Sequence, residues 1–308
     1  MKEYVLERLL NDDETRALRG QFLTDISHLR QIPGDEPFRV KDPDGNLVAM
    51  MIPTPNDHAS FRRLIRQSRW GTTLRSGSGI SNRSVTFGFS PRLSMRLREG
   101  CGTTVLMAEQ PEIYAELVRT AEGLSDWLDA NEPSINEPIL ATPVHDDWRI
   151  GRSGWTSGVI NFNSELPYHH DGANFDVWSA MPAVRRGIRG GDLAVPEYGV
   201  VLPVRDSHTL MFNGSRLLHC VTPMTKIAAD AYRITAVFYC LKGMKNCADF
   251  AQETRRAQER RTELERRIER TVLVEDTGKR SSRQGQMKVM RKKQADDRAP
   301  RVHDDAAE

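Results

Sequence analysis

Histidine and carboxylate side chains recur at strand spacing in one stretch of the chain, Tyr168-His169-His170-Asp171-Gly172-Ala173-Asn174. In extended backbone alternate side chains share a face, so His169 and Asp171 point together while His170 points away. Leu218-His219-Cys220 downstream supplies a further imidazole. Two imidazoles and one carboxylate hold one face of an octahedron and leave three positions open, which is the ligand set of non-haem Fe(II) oxygenases. Such a site also needs a fixed cation for the far carboxylate of a keto-acid cosubstrate whose other end chelates the metal. Arg233 follows His219 by 14 residues in a strand-like run. Its guanidinium suits bidentate capture of a carboxylate. Arg216 is the next candidate for that role.

An isolated His-x-Asp arises by chance in many chains. Its weight here comes from His219 on a β-rich background and from Arg233 at the right offset. His145-Asp146-Asp147 imitates the pattern, but no second His and Arg follow it at a suitable interval. His28, His58, His170, His208 and His303 read as surface or capping residues.

The elements that must position these groups follow from patterning. From about 155 to 244 short β-prone runs (SGVINFN, DLAVP, GVVLPV, TLMFN, HCVTPM, RITAVFYCL) are separated by Gly, Pro, Asn and Asp, a spacing that favours a sandwich or barrel over βαβ units. Asn161 and Asn163 alternate with Val159 on the strand before His169 and are weaker candidates for touching the cosubstrate. Upstream, residues 12–31 have helical spacing up to Pro33-Gly34, and Asp42-Pro43-Asp44-Gly45-Asn46 predicts a hairpin turn. Residues 56–68 predict a short basic helix. Gln110 to Ala130 predicts a longer one, with Pro111 at its first position and Ile113, Leu117, Ala121, Leu124, Trp127 and Leu128 on one face. Residues 251–273 form a charged helix with Glu/Arg pairs three or four apart.

The 308 residues are 38% hydrophobic and 28% charged, enough apolar material for one large domain or two modest ones, which excludes a purely disordered chain. The net charge of +2 hides an asymmetry: residues 251–308 carry 16 Lys/Arg against 12 Asp/Glu, and the rest carries 28 against 30. From Lys279 to Lys293 there are seven basic and no acidic residues, a composition expected to be disordered and free to reach phosphate. Arg62, Arg63, Arg66, Arg69, Arg75 and Arg83 are a second candidate group for phosphate contact. The four cysteines contain no CxxC pair, which argues against a zinc knuckle or a disulfide scaffold and for a reducing cell interior. The acidic amino terminus lacks an apolar h-region, and no apolar run reaches about 18 residues, so neither a signal peptide nor a membrane span is expected.

The run RITAVFYCLKGM from Arg233 to Met244, the YHHDGAN turn and Gly-Gly-Asp-Leu-Ala-Val-Pro at 190–196 resemble the TET/JBP dioxygenases, which oxidise the 5-methyl group of pyrimidines in DNA. The likeness spans roughly residues 70–250, with weaker echoes in SVTFGFSPR and in the helix after Gln110. It implies a mainly β fold with flanking helices around a double-stranded β-helix, or jelly-roll, core. It further implies that His169, Asp171 and His219 bind Fe(II) and that Arg233 binds 2-oxoglutarate, with Thr235 a lesser contact on the same face. Asn174 stands where the family sets an Asn against the target base, and Tyr239 stands where an aromatic stacks on it. Animal TET enzymes have a base-contacting His where this chain has Leu241, which leaves the base preference open. The same iron scaffold also serves hydroxylases of protein side chains or small molecules, and that alternative stands beside DNA oxidation. A metal-free DNA-binding module is a third class, disfavoured by the intact donor set.

The implied organisation is an N-terminal helix and hairpin extension (1–69), the dioxygenase domain (70–250), a charged helix (251–278) and a basic tail (279–308). DNA is the expected partner, a monomer the expected state and an intracellular, DNA-associated setting the expected location. The short chain, without the large insertions of animal TET enzymes, looks more like a bacterial or phage relative.

Overall fold

The computed structural model describes residues 1–69, 71–74, 81–91 and 101–276. The chain begins with β1 (Lys2–Val5), α1 (Asp12–Leu18), β2 (Arg30–Gln31), β3 (Phe38–Lys41), β4 (Leu47–Pro53), α2 (His58–Ile65), β5 (Gly71–Leu74) and β6 (Ser81–Ser90). β7 (Gly102–Thr103) leads into three helices, α3 (Val105–Glu109), α4 (Pro111–Asn131) and α5 (Pro133–Leu140). The strands that follow are β8 (Ser157–Phe162), β9 (Ser179–Arg186), β10 (Ile188–Gly190), β11 (Leu193–Val195), β12 (Val200–Leu202), β13 (His208–Phe212), β14 (Cys220–Val221), β15 (Met224–Lys226) and β16 (Tyr232–Tyr239), before α6 (Phe250–Asp276).

A large sheet in the order β1-β3-β4-β13-β9-β16-β8-β6-β5 lies against a small one in the order β14-β11-β12-β2. The period-2 alternation of β16 shows how the two faces are used. Tyr232, Ile234, Ala236 and Phe238 enter a core shared with Phe61 and Ile65 of α2 and with Ile113, Leu117, Ala121, Leu124 and Leu128 of α4. On the other face Val237 packs with Met51, Met181, Leu210 and Phe212 of the large sheet and with Leu193, Val195, Val200 and Leu202 of the small one. Helices thus cover one face of the large sheet and the small sheet covers the other, which is a jelly-roll core with flanking helices. Arg233, Thr235 and Tyr239 share the face of Val237.

The helix expected from Gln110 is α4, with Pro111 at its start and five of the six apolar residues buried; Trp127 is only partly so. Full burial of side chains of that size stabilises by about 1.5–3 kcal/mol each. The hairpin at 42–46 and the basic helix α2 are also present, with Gly45 at φ 85° and Asp57 capping α2. The helix expected over 12–31 stops at Leu18. Asn11 caps its start through a reciprocal box with Glu14, but Gly20 takes φ 85°, and the following chain pairs its backbone with Tyr168.

The division expected after residue 69 is not one the sheet respects. β1, β3 and β4 belong to the large sheet, β4 pairs with β13, and residues 1–254 form one compact unit. Residues 255–308 form a second unit, of which the described part, 255–276, is all of the charged helix α6 beyond its first turn. The cysteine reading is also corrected, because Cys101 and Cys247 form a disulfide while Cys220 and Cys240 are free and buried. The bonded pair is separated by 146 residues, so no local spacing announces it. No helix among the described residues is long and apolar enough to cross a membrane. Since loss of a native disulfide typically costs about 2–5 kcal/mol, Cys247→Ser should lower the denaturation midpoint in non-reducing buffer, and added reductant should bring the wild type down to the same value.

Candidate metal centre

His169 and His219 face each other across an antiparallel bridge in which each backbone N–H donates to the other residue's carbonyl, at 2.9 and 3.0 Å. Both rings are fixed in the same way. His169 Nδ1 lies 2.8 Å from the Pro167 carbonyl and His219 Nδ1 lies 2.9 Å from the Leu217 carbonyl. A carbonyl can only accept, so each Nδ1 carries the proton and each Nε2 keeps a free lone pair. Asp171 completes the set, its carboxylate oxygens 3.7 Å from His169 Nε2 and 4.0 Å from His219 Nε2. One donor atom from each residue lies within 4.8 Å of the other two. These three residues would hold a single metal ion if one bound. Burial, helped by the neighbouring His169, pushes the His219 ring down to about 4, so at neutral pH it is the uncharged base a ligand must be.

Gly214 makes room for this arrangement. Its carbonyl accepts from Asp171 N–H at 2.8 Å, and a Cβ added at Gly214 would lie 2.5 Å from Asp171 Oδ2 and 3.3 Å from His219 Cε1. A backbone approaches the donors this closely only where no side chain intervenes.

Arg233 is 2% exposed, and its Nε has no hydrogen-bond partner among the described residues. Desolvation lowers its guanidinium to about 10, with Arg185 adding to that and Asp192 opposing it. Arg185, across the ladder, is by contrast engaged through both terminal nitrogens, by Asp192 and by the carbonyls of Val204, Ile188 and Gly190. A buried guanidinium with an unfilled donor is costly alone and is satisfied by an anion, so the residue fits the carboxylate of a keto acid. Gly191, at φ 70°, clears its stem: a Cβ there would sit 2.8 Å from Arg233 Cδ. Asn163 braces the backbone, its Oδ1 accepting from Arg233 N–H and its own N–H donating to the Arg233 carbonyl. Thr235 pairs with Asn161 on β8. Arg216 lies elsewhere, solvent-exposed and paired with Asp176.

Asn174 is buried and bridges Leu241, while Phe175 N–H donates to the Cys240 carbonyl and Lys242 N–H to that of Ala173. The loop that carries Asp171 therefore runs antiparallel to the end of β16 and sets Asn174 beside the segment that begins at half-buried Tyr239. Arg62 and Arg66 lie at the other end of that strand. Arg62 holds Asp206 and the Tyr232 hydroxyl, and Arg66 stacks on the Tyr232 ring. Eight residues of strand put Tyr232 roughly 23 Å from Tyr239. These two arginines therefore lie at the strand end opposite Asn174. Arg83 stacks on Phe162, Arg63 and Arg69 are exposed, and Arg75 and the Lys279–Lys293 run fall outside the described residues. His145 is an exposed cap that accepts from Asp147 N–H. Gly191 and Gly214 are not evident as site residues in the sequence, because their role is to leave space. The run Gly190-Gly191-Asp192 is the one visible sign of it.

A jelly-roll core from two of whose loops two histidines and one carboxylate converge offers a donor set able to hold one divalent metal ion on one face and leave further positions open. The solved structure of NgTET1 in complex with 5mC DNA is similar to this chain at TM-score 0.50 and 15% identity, covering 72% of this chain and 85% of that one. An oxidoreductase of the 2OG-Fe(II) oxygenase family from Burkholderia pseudomallei is similar at TM-score 0.42 and 15% identity, covering 62% of this chain and 84% of that one. OsALKBH1 is similar at TM-score 0.40 and 11% identity, covering 62% of this chain and 96% of that one. No family model and no curated protein matches the chain. Gly214→Ala should weaken Mn(II) or Co(II) binding by tenfold or more, on the order of 1.4 kcal/mol, with the metal-free unfolding midpoint nearly unchanged; calorimetric titration beside a thermal melt checks this.

Proposed function

We propose that the chain is an Fe(II)- and 2-oxoglutarate-dependent dioxygenase that oxidises the 5-methyl group of a pyrimidine in DNA, 5-methylcytosine or thymine, to the 5-hydroxymethyl group, releasing succinate and carbon dioxide. The observation that carries the reading is the pairing of the pinned His169–Asp171–His219 triad with Arg233, a buried guanidinium short of an anion. Bound iron and 2-oxoglutarate supply the oxidising chemistry, spending the keto acid to activate dioxygen against an inert C–H bond.

The protein's share is ligation, orientation and exclusion of water. His169, Asp171 and His219 hold the metal. Arg233 takes the far carboxylate of 2-oxoglutarate, with Thr235 beside it on β16. A methyl group on a stacked base cannot reach a buried metal, so the base must leave the duplex and be held at its face and its edge. Tyr239 offers an aromatic face, and Asn174, on the loop that carries Asp171, offers an amide able both to donate and to accept at a Watson–Crick edge. The seven basic residues between Lys279 and Lys293 supply the cationic charge of this reading, suited to phosphate at low salt.

Incubation of the protein with Fe(II), 2-oxoglutarate and DNA bearing either methylated base, followed by mass spectrometry of nucleosides, tests the proposal and separates the two bases. Turnover of 2-oxoglutarate with a protein or small-molecule substrate, and none with DNA, would move the assignment to the other hydroxylases. Arg233→Lys should raise the 2-oxoglutarate concentration needed for half-maximal succinate release by the equivalent of about 1–3 kcal/mol, because a point charge cannot reproduce the forked donor. Tyr239→Ala should remove about 1–3 kcal/mol of stacking. Asn174→Ala should remove an edge contact, and both variants should lose methyl oxidation while titrating with Co(II) and 2-oxoglutarate as the wild type does.

A further inference from the structure

Asp176 gathers more donors than an exposed carboxylate needs. Arg216 Nε and Nη2 reach its two oxygens at 2.5 and 2.6 Å, and Asn213 Nδ2 donates to Oδ1 at 2.8 Å. Ser215 Oγ stands 3.5 Å from the same oxygen. The partners belong to one turn. Arg216 and Leu217 N–H both donate to the Asn213 carbonyl, and the Asn213 side-chain oxygen accepts from Ser215 N–H and Oγ. That turn contains Gly214, whose carbonyl holds Asp171 N–H, and it runs directly into Leu217, whose carbonyl orients the His219 ring. Asp176 closes the other loop, five residues beyond Asp171 and two beyond Asn174.

We propose that Asp176 and Arg216 are a positioning pair for the metal centre: a charged clasp that holds the Asn213–Leu217 turn against the loop of Asp171 and so sets the spacing of the carboxylate from His219. The inference rests on the iron reading above and extends it to two residues that touch neither metal nor substrate. Exposure decides between this role and general stabilisation. The side chains are 52% and 70% exposed, and exposed ion pairs add little to global stability. A bidentate clasp nevertheless fixes the relative position of two loops, because both N–H groups must be aligned at once. The loops it joins share the His169–His219 bridge at one end, and the clasp, beside the Asn213 amide on the same carboxylate, ties them at the other. Without it, the Gly214 carbonyl is held against Asp171 less firmly.

The test uses the full chain and Co(II) as the probe, read by calorimetric titration and by the visible absorption of the bound ion. Asp176→Ala and Arg216→Ala should each weaken Co(II) binding by about tenfold, with the unfolding midpoint of the metal-free protein shifted little. If the two act through one contact, the double variant should bind no more weakly than the weaker single variant. Affinities equal to wild type in both single variants would overturn the proposal, as would losses that multiply in the double variant. A midpoint that falls in step with the affinity would likewise overturn it and make the pair a fold-stabilising contact. A wild type that binds no divalent ion would instead defeat the iron reading itself, an outcome visible before any variant is made.

Discussion

The reciprocal backbone pairing of His169 with His219 is the constraint on which the site depends. Two loops that are 50 residues apart in sequence are brought into register by two hydrogen bonds, and the same contact fixes the ring orientation of both imidazoles, since each ring is tied to a carbonyl of its own strand. A shift of one residue in this pairing would exchange His169 for Tyr168 or His170 and turn the donor away. The rest of the jelly roll can be understood as what keeps this short bridge in place. Tyr168, Leu218 and Cys220, the neighbours of the two histidines, are buried in a cluster with Leu29, Ala194 and Val201.

The second dependency runs along β16. One strand face supplies apolar side chains to the helix-covered core, and the other presents Arg233, Thr235, Val237 and Tyr239 toward the small sheet. Strand alternation thus converts a nearly continuous hydrophobic run into a scaffold that carries a buried cation at one end and an aromatic ring at the other. The cost of burying Arg233 is visible in its lowered proton affinity and its unfilled Nε, and the fold sustains it because the sheet around it is held by apolar packing.

The convergence of the triad, the place of Arg233 on a strand, α4 and most β-prone runs are legible in the sequence because each rests on a local pattern: strand spacing around His169, helical spacing after Pro111, and turn residues between short apolar runs. What was not legible has physical reasons. β9 lies at the centre of the large sheet, between β13 and β16, yet its sequence SAMPAVRR has no alternation because nearly all of it is buried, and Pro182 reads as an interruption. The ladder tolerates that proline where its pairing with β16 lapses between Ala183 and Ala180. The membership of the amino-terminal strands in the large sheet is not legible because strand partners far apart in sequence leave no mark in either segment. Gly191 and Gly214 escaped notice because they contribute only the absence of a side chain.

The disulfide has a topological consequence. Cys101 and Cys247 close a covalent ring, and every residue assigned here to metal, keto acid or base lies within it, from Asn161 to Tyr239. β1 to β6 and α6 attach to the ring from outside as two linear arms. A single backbone cut anywhere between residues 101 and 247 would open the ring without dividing the molecule, whereas a cut in either arm would release a fragment. The segment that carries the candidate site is in this sense a macrocycle, and strands that lie outside it in sequence complete its large sheet.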